Sequence, residues 1–230
     1  MKNTQKLLGL FLAAISFTAC SKDDTNGNVS LNAKTTFTNS RMPEGTASGV
    51  ALTSFMVNIK EIEFEFDDDQ DDNLNQQDFN FDDDVKLVGP WTLDLLNSTR
   101  NIVNFDLPNG AYEEIEFKLD KNEIVGSPMF NKSIEVKGTI SGKPFIYWDN
   151  EDEDIEVDYS DISKNVIINN NSLNLSLNFN LRTVFVQTLL SLALDRDGDG
   201  VIEIGPNDQD GNSNIAEQLD DRLEDTVIIE

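Results

Sequence analysis

The stretch LDRDGDGVIEIGPNDQDGN, Leu194 to Asn212, sets Asp195, Asp197 and Asp199 on alternate residues, with glycines at 198 and 200. Carboxylates at that spacing, in a segment whose glycines allow sharp turns, can bring several oxygen atoms around one point. The species that fits such a point is a hard divalent cation. Like charges crowded there oppose folding unless neutralised. Two carboxylates about 4 Å apart repel by roughly 1 kcal/mol in water and roughly 4 kcal/mol at the effective dielectric near a protein surface.

The spacing fits an EF-hand-type loop over nine residues. Asp195, Asp197 and Asp199 take positions 1, 3 and 5, and Gly200 takes the turn at position 6. The carbonyl of Val201 falls at position 7, Ile202 is an apolar anchor at position 8, and Glu203 stands at position 9. Position 12, where an EF-hand carries a bidentate Glu, holds Pro206. Asp208 and Asp210 are the candidates to complete the coordination from downstream. Many carboxylates, a backbone carbonyl and a flexible loop favour Ca2+ over Mg2+, which demands stricter octahedral geometry. Its expected role is structural, fixing the turn before the final helix.

Other chemistries have little to work with. The chain has no histidine, which removes Ser-His-Asp and Cys-His mechanisms and the ordinary zinc sites. No phosphate-cradling glycine loop or dinucleotide fingerprint appears. A carboxylate pair acting as in glycoside hydrolysis is the one catalytic option left, and nothing singles out a pair among 43 acids. Trp91, Tyr147 and Trp148 could form an aromatic platform for sugar rings. Their alternative place is the core or a sheet edge, and burial of Tyr147 and Trp148 decides between the two.

The opening, MKNTQKLLGLFLAAISFTAC, has a basic head at Lys2 and Lys6, an apolar run, and small residues before Cys20. That pattern predicts a secretory signal over 1–19. The apolar run is too short for a span of roughly 20 residues. Phe17-Thr18-Ala19-Cys20 resembles the lipobox of bacterial lipoproteins, with Cys20, the chain's single cysteine, as the acylated residue. The following Ser21-Lys-Asp-Asp24 resembles the signal that sends lipoproteins of the Bacteroidota to the outer face of the outer membrane. The resemblance implies attachment to the membrane through the acyl group on Cys20 and display at the cell exterior, with the periplasmic face as the alternative. Residues 20–34 then read as a flexible tether.

Removing residues 1–19 takes two lysines and no acids, leaving a formal charge of 15 − 43 = −28. Such a charge excludes nucleic acid as a partner and leaves acyl chains, not basic residues, to hold a membrane. Apolar content of 38%, with 14 phenylalanines, supports a packed core.

Period-two alternation runs through most of the chain and is unbroken from Leu173 to Leu181. In FMVNIKEIEFEF the apolar phase slips between Phe55-Val57-Ile59 and Ile62-Phe64-Phe66, which predicts a bulge near Lys60 and Glu61. Seven to nine strands with turn signals between them predict a mainly β, two-sheet Greek-key sandwich, immunoglobulin- or transthyretin-like, over 35–186. The acidic runs Phe66–Asp84 and Asp149–Asp158 read as solvated loops or extended edges. Residues 187–230 are expected to pack on the sandwich as the acidic loop and a short C-terminal helix, with Ile215, Leu219, Leu223 and Val227 on one face and a capping-box-like start at Asn214 and Glu217.

ALTSFMVNIKEIEF, WTLDLL, FDLPNGAYEEIEFKL, SIEVKGTI and LNLSLNFNLRTVF together resemble the sandwich domain of unknown function found in Bacteroidota lipoproteins, over about 35–186. The resemblance implies an envelope β-sandwich with no established activity. The sequence reading is therefore a calcium-stabilised envelope module that binds a glycan or an envelope protein, with a glycan-binding accessory lipoprotein as its alternative.

Overall fold

The computed structural model describes residues 26–36, 49–66, 84–96, 98–158 and 165–229. The signal, Cys20 and the acidic insertion at 67–83 lie outside them. In chain order the elements are β1 (Asn26–Thr35), β2 (Val50–Phe66), β3 (Val85–Asp94), β4 (Arg100–Pro108), β5 (Gly110–Leu119), β6 (Ile134–Ile140), β7 (Lys143–Asp149), β8 (Glu153–Asp158), β9 (Val166–Ile168), β10 (Ser172–Phe179), α1 (Leu181–Val184), α2 (Gln187–Leu190), β11 (Ile202–Ile204), α3 (Ser213–Glu224) and β12 (Val227–Ile229). The protein is mainly β, two sheets in a sandwich-like arrangement with a short C-terminal helix.

The larger sheet is organised by β2. Its 17 residues, rich in Phe, Val and Ile, extend over roughly 55 Å at the usual rise per residue. One edge pairs with β3. The other is shared: β5 pairs with Ile59–Phe66 and β6 with Val50–Val57, both antiparallel. Thus β5 and β6 lie end to end, and residues 120–133 leave the sheet and return to it. The strands β7, β8 and β9 line up in the same way along β6 and β5. The expected bulge is present, since the register shifts between Ile59 and Glu61 on both edges of β2. Both apolar phases thereby point inward, and Phe55, Val57, Ile59, Ile62 and Phe64 are all fully buried.

The smaller sheet has the order β12-β10-β1-β4. Its inner face meets β2 and β5 through aromatic contacts: Phe179 on Phe55 at 5.3 Å between centroids, and Phe105 on Phe64 at 5.4 Å. Tyr112 is buried edge-on to Phe64 and donates its hydroxyl to the Pro108 carbonyl at 2.9 Å, closing the Pro108-Asn109-Gly110 turn. The outer face of this sheet is built differently. Registered rows run Ser172–Asn28–Asp106, Asn174–Ser30–Asn104 and Ser176–Asn32–Asn101 across β10, β1 and β4.

Three expectations are corrected here. The tether does not extend to residue 34: Asn26 onward forms β1, which pairs with both β10 and β4, and Val29, Leu31 and Ala33 are fully buried. The sandwich does not end at 186, because β11 joins β7 in the larger sheet and β12 joins β10 in the smaller. The helix begins with Asn212 as its N-cap and makes no side-chain cap, and Val227 lies in β12 opposite Phe179. Asn212 cannot cap because its side chain is engaged elsewhere, as described below.

Leu31→Ala distinguishes a strand from a tether. Deleting a fully buried leucine from a central strand should cost about 2–5 kcal/mol in urea unfolding, whereas the same change in a solvated tether would cost nothing measurable.

Candidate metal centre

The segment from Leu194 to Asn212 folds upon itself through its own carboxylates. One oxygen of each aspartate accepts a nearby amide: Asp195 from Gly198 at 2.8 Å, Asp197 from Asp199 at 3.0 Å, and Asp199 from Val201 at 2.8 Å. These local bonds compete with regular structure and wind the chain into successive tight turns. Gly198 and Gly200 supply the positive φ values, 79° and 96°, that the winding requires. The result gathers Asp195, Asp197 and Asp199 so that one carboxylate oxygen from each lies within 4.8 Å of the others. Asp197 and Asp199 are exposed and Asp195 is half-buried, so the group opens to solvent. A cation could be held there by the three carboxylates.

Asp208 and Asp210, expected to complete the coordination, do something else. Asp210 is 1% exposed and turns its carboxylate onto backbone amides: Oδ1 accepts from Arg196 at 2.6 Å and Asp197 at 3.1 Å, and Oδ2 from Glu203 at 2.8 Å. The Arg196 guanidinium returns across the loop to the carbonyls of Asp210 and Gly211, both at 2.7 Å. Asp208 accepts the Asn212 amide at 2.9 Å, directly before α3. Glu203 gives one oxygen to the Gln209 amide at 3.2 Å. Hence the downstream acids hold the scaffold, and the gathered group consists of the three upstream aspartates. The sequence could not separate these roles, because a carboxylate serves equally as a cation ligand or as an amide acceptor.

Asn212 completes the frame. It is buried, accepts from the Leu194 amide at 3.1 Å, and donates to the carbonyls of Leu194 at 3.0 Å and Glu203 at 2.6 Å. The two ends of the acidic segment are thereby tied together at the base of α3. From there Ile215, Leu219 and Leu223 are buried, and α3 packs against β7, β11 and α1.

A second carboxylate group lies on the outer face of the larger sheet, where Glu63, Glu65 and Glu116 also bring oxygens within 4.8 Å of one another. Glu63 faces Glu116 across β2 and β5 and accepts from Lys86 at 2.6 Å. Burial, with Asp154 and Glu63 nearby, raises the pKa of Glu116. Alternation in EIEFEF was the signal that Glu63 and Glu65 share a face; their meeting with Glu116 needed the strand register.

The aromatic platform is not formed. Adjacent residues of a strand point to opposite faces, so Tyr147 and Trp148 cannot share one surface. Tyr147 is 1% exposed and packs edge-on to Phe185 at 5.8 Å. Trp148 is half-buried over Gly205, where a Cβ would collide with its indole. Trp91 sits on β3 opposite Ile59, packed against the core.

Compared with known proteins, the chain matches no protein family model, no curated relative and no solved structure. The function is therefore argued from these residues.

Asp210 should govern both loop integrity and acid sensitivity. Burial raises its pKa, but the amides of Glu203, Asp197 and Arg196 and the Arg196 charge outweigh that and hold it below the usual value. A lowered folded pKa contributes stability above the unfolded value of about 3.9, and that contribution is lost as pH falls through the folded value. Asp210→Asn puts an NH2 group against amide donors and should destabilise the chain by about 2–3 kcal/mol at pH 7. In urea melts the gap between the two proteins should stay constant above about pH 5 and close below about pH 4.

Proposed function

We propose that this is a lipid-anchored cell-envelope protein, displayed on the outer face of the outer membrane. In this reading it serves as a calcium-stabilised binding module without catalysis. The observation that carries the calcium reading is the gathering of Asp195, Asp197 and Asp199, each with one oxygen turned to a backbone amide. Carboxylates preorganised in that way repel one another until a divalent cation binds. The pairing of exposed acids with flexible glycine turns suits calcium's adaptable shell better than magnesium's rigid octahedron. The remaining ligand positions are open to solvent on the exposed side, as in the weaker sites of extracellular modules.

The ion's contribution follows from where the loop sits. The aspartate loop leads from α2 into β11, and the same acidic segment continues to α3; Ile202, Ile204, Ile215 and Leu219, which flank it, are all buried. Neutralising the aspartates therefore stabilises the packing of the tail on β7. The anchor reading rests on the N-terminal residues, with Cys20 only six residues before the start of β1. A link of that length spans at most about 21 Å, which would hold the sandwich close to the lipid surface. Among the described residues no helix is long and apolar enough to cross a membrane.

Thermal unfolding tests the metal. With an extracellular-grade affinity of about 10⁻⁴ to 10⁻³ M, 2 mM CaCl2 stabilises by about 0.7–1.8 kcal/mol, a Tm rise of a few degrees. Equimolar MgCl2 should do less. Asp197→Asn/Asp199→Asn should abolish the rise, and an identical Tm in calcium and in excess chelator would reject the site. For the anchor, Cys20→Ser should move the protein from the detergent phase to the soluble fraction and remove the acyl mass from its N-terminal peptide.

A further inference from the structure

The outer face of the smaller sheet differs in chemistry from the rest of the molecule. In a chain of 43 acids, the registered rows on β10, β1 and β4 hold eight carboxamides and hydroxyls, centred on Asn32 and Ser30, with Asp106 as their one carboxylate. Asn28, Asn101, Asn104 and Asn174 are exposed. The array is also ordered by its own hydrogen bonds. Asn32 donates to Asn174 Oδ1 at 2.6 Å, and Asn101 donates to Asn104 Oδ1 at 3.1 Å and Asn32 Oδ1 at 3.2 Å. On β12 the half-exposed Ile228 is registered with Asn178 and adds an apolar lip.

We propose that this face binds an uncharged, hydroxyl-rich polymer, a neutral polysaccharide chain. A carboxamide offers two donors and an acceptor with two lone pairs, and each one here spends only part of that capacity on its neighbours. Donors and acceptors thus recur about 4.8 Å apart across the strands and about 6.6 Å along them. That suits a ligand with a donor-acceptor hydroxyl at every few ångströms. Because the side chains are already held, binding sacrifices little rotamer freedom. Other ligand classes fit less well. A protein partner would want buried aromatic or arginine anchors, an anionic polymer would want several cations, and a metal would want clustered carboxylates; the face supplies one cation, Lys34 in register with Asn178, against the single carboxylate of Asp106. Its near neutrality matters too, because a polymer without charge neither gains nor loses from the acidic remainder of the molecule.

This inference deepens the binding-module reading by naming a surface and a ligand class, and it rests on that reading. Affinity gel electrophoresis of the full chain tests it, in gels containing dextran, pullulan, xyloglucan or galactomannan, with alginate as the anionic control and 2 mM CaCl2 throughout. Migration should be retarded by at least one neutral polymer and not by alginate. Asn174→Lys and Asn104→Lys, made separately at exposed positions, should each reduce the retardation at least fivefold, while Val125→Lys on the exposed 120–133 loop should leave it unchanged. Retardation by none of the four neutral polymers, or retardation that survives both asparagine substitutions, overturns the proposal. The Tm of the same samples with and without calcium separates a failure of this face from a failure of the metal loop.

Discussion

The length of β2 is the constraint on which the rest of the architecture depends. At 17 residues it outruns every other strand among the described residues, and none of its neighbours there covers it from end to end. Two shorter strands must therefore share an edge, and where β5 gives way to β6 the chain has to leave the sheet. At that junction the unpaired backbone needs new partners. Asn58 provides them: its amide donates to the Ser133 carbonyl at 2.8 Å, its Nδ2 to the Asp120 carbonyl at 2.7 Å, and its Oδ1 accepts from Thr92 and Asn122. Ser133 is tied in turn to Asp149 at 3.0 Å, where β7 ends. Buried Asn58, Asp120, Asn122, Ser133 and Asp149 thus mark the place where the ladders break.

The same constraint explains the tail. The four-stranded sheet covers the half of β2 that pairs with β5, through Phe64 and Phe105, and reaches into the other half as far as Phe55, where Phe179 packs. The other half, with β6 and β7, would expose Leu52, Ile140, Phe145 and Tyr147 unless something else covered them. The helical segments contribute to that cover, with Phe185 after α1 on Tyr147 and α3 against β7, while β11 extends the sheet beyond β7. Their placement depends on a turn that contains more carboxylates than apolar groups, and the burial it makes possible has to exceed the repulsion it concentrates. Asp210 and Arg196 resolve part of that conflict internally by pairing with backbone groups. The three gathered aspartates leave the remainder, which is why a cation and the fold of the tail are one problem.

Much of this was legible in the sequence wherever one residue type served one purpose. Leu175, Leu177 and Phe179 alternate with polar residues and are buried as strands, and the phase slip around Lys60 marked the bulge. The loop's turning points followed from the spacing of Asp195, Asp197 and Asp199. Reading failed where composition masked period. The segment NGNVSLNAKT looks like a linker because Asn, Ser and Lys dominate it, yet Val29, Leu31 and Ala33 keep strict alternation and occupy the centre of a sheet. Tyr147 and Trp148 were separable in principle, since neighbours in a strand cannot share a face. The destinations of Asp208 and Asp210, and the meeting of Glu63 with Glu116, depended on tertiary register that no local pattern encodes.

The two outer faces of the sandwich divide the electrostatics between them. On the larger sheet, Glu63, Glu65 and Glu116 crowd together, with Lys86 and Lys118 pairing with Glu63 and Asp154 beside them. Lys86 is half-exposed and Lys118 partly exposed, so the pairs are worth little individually and salt weakens them further. A carboxylate face of that kind repels anions and blocks edge-to-edge association of sheets. The smaller sheet presents carboxamides and hydroxyls whose hydrogen-bonding capacity does not vary with pH or salt. A molecule so strongly acidic needs no neutral face for solubility. Concentrating most of the charge elsewhere leaves a surface on which a ligand meets one carboxylate, Asp106, and one ammonium, Lys34, among carboxamides and hydroxyls, and burying a hydrogen-bonded amide costs far less than burying an unpaired ion.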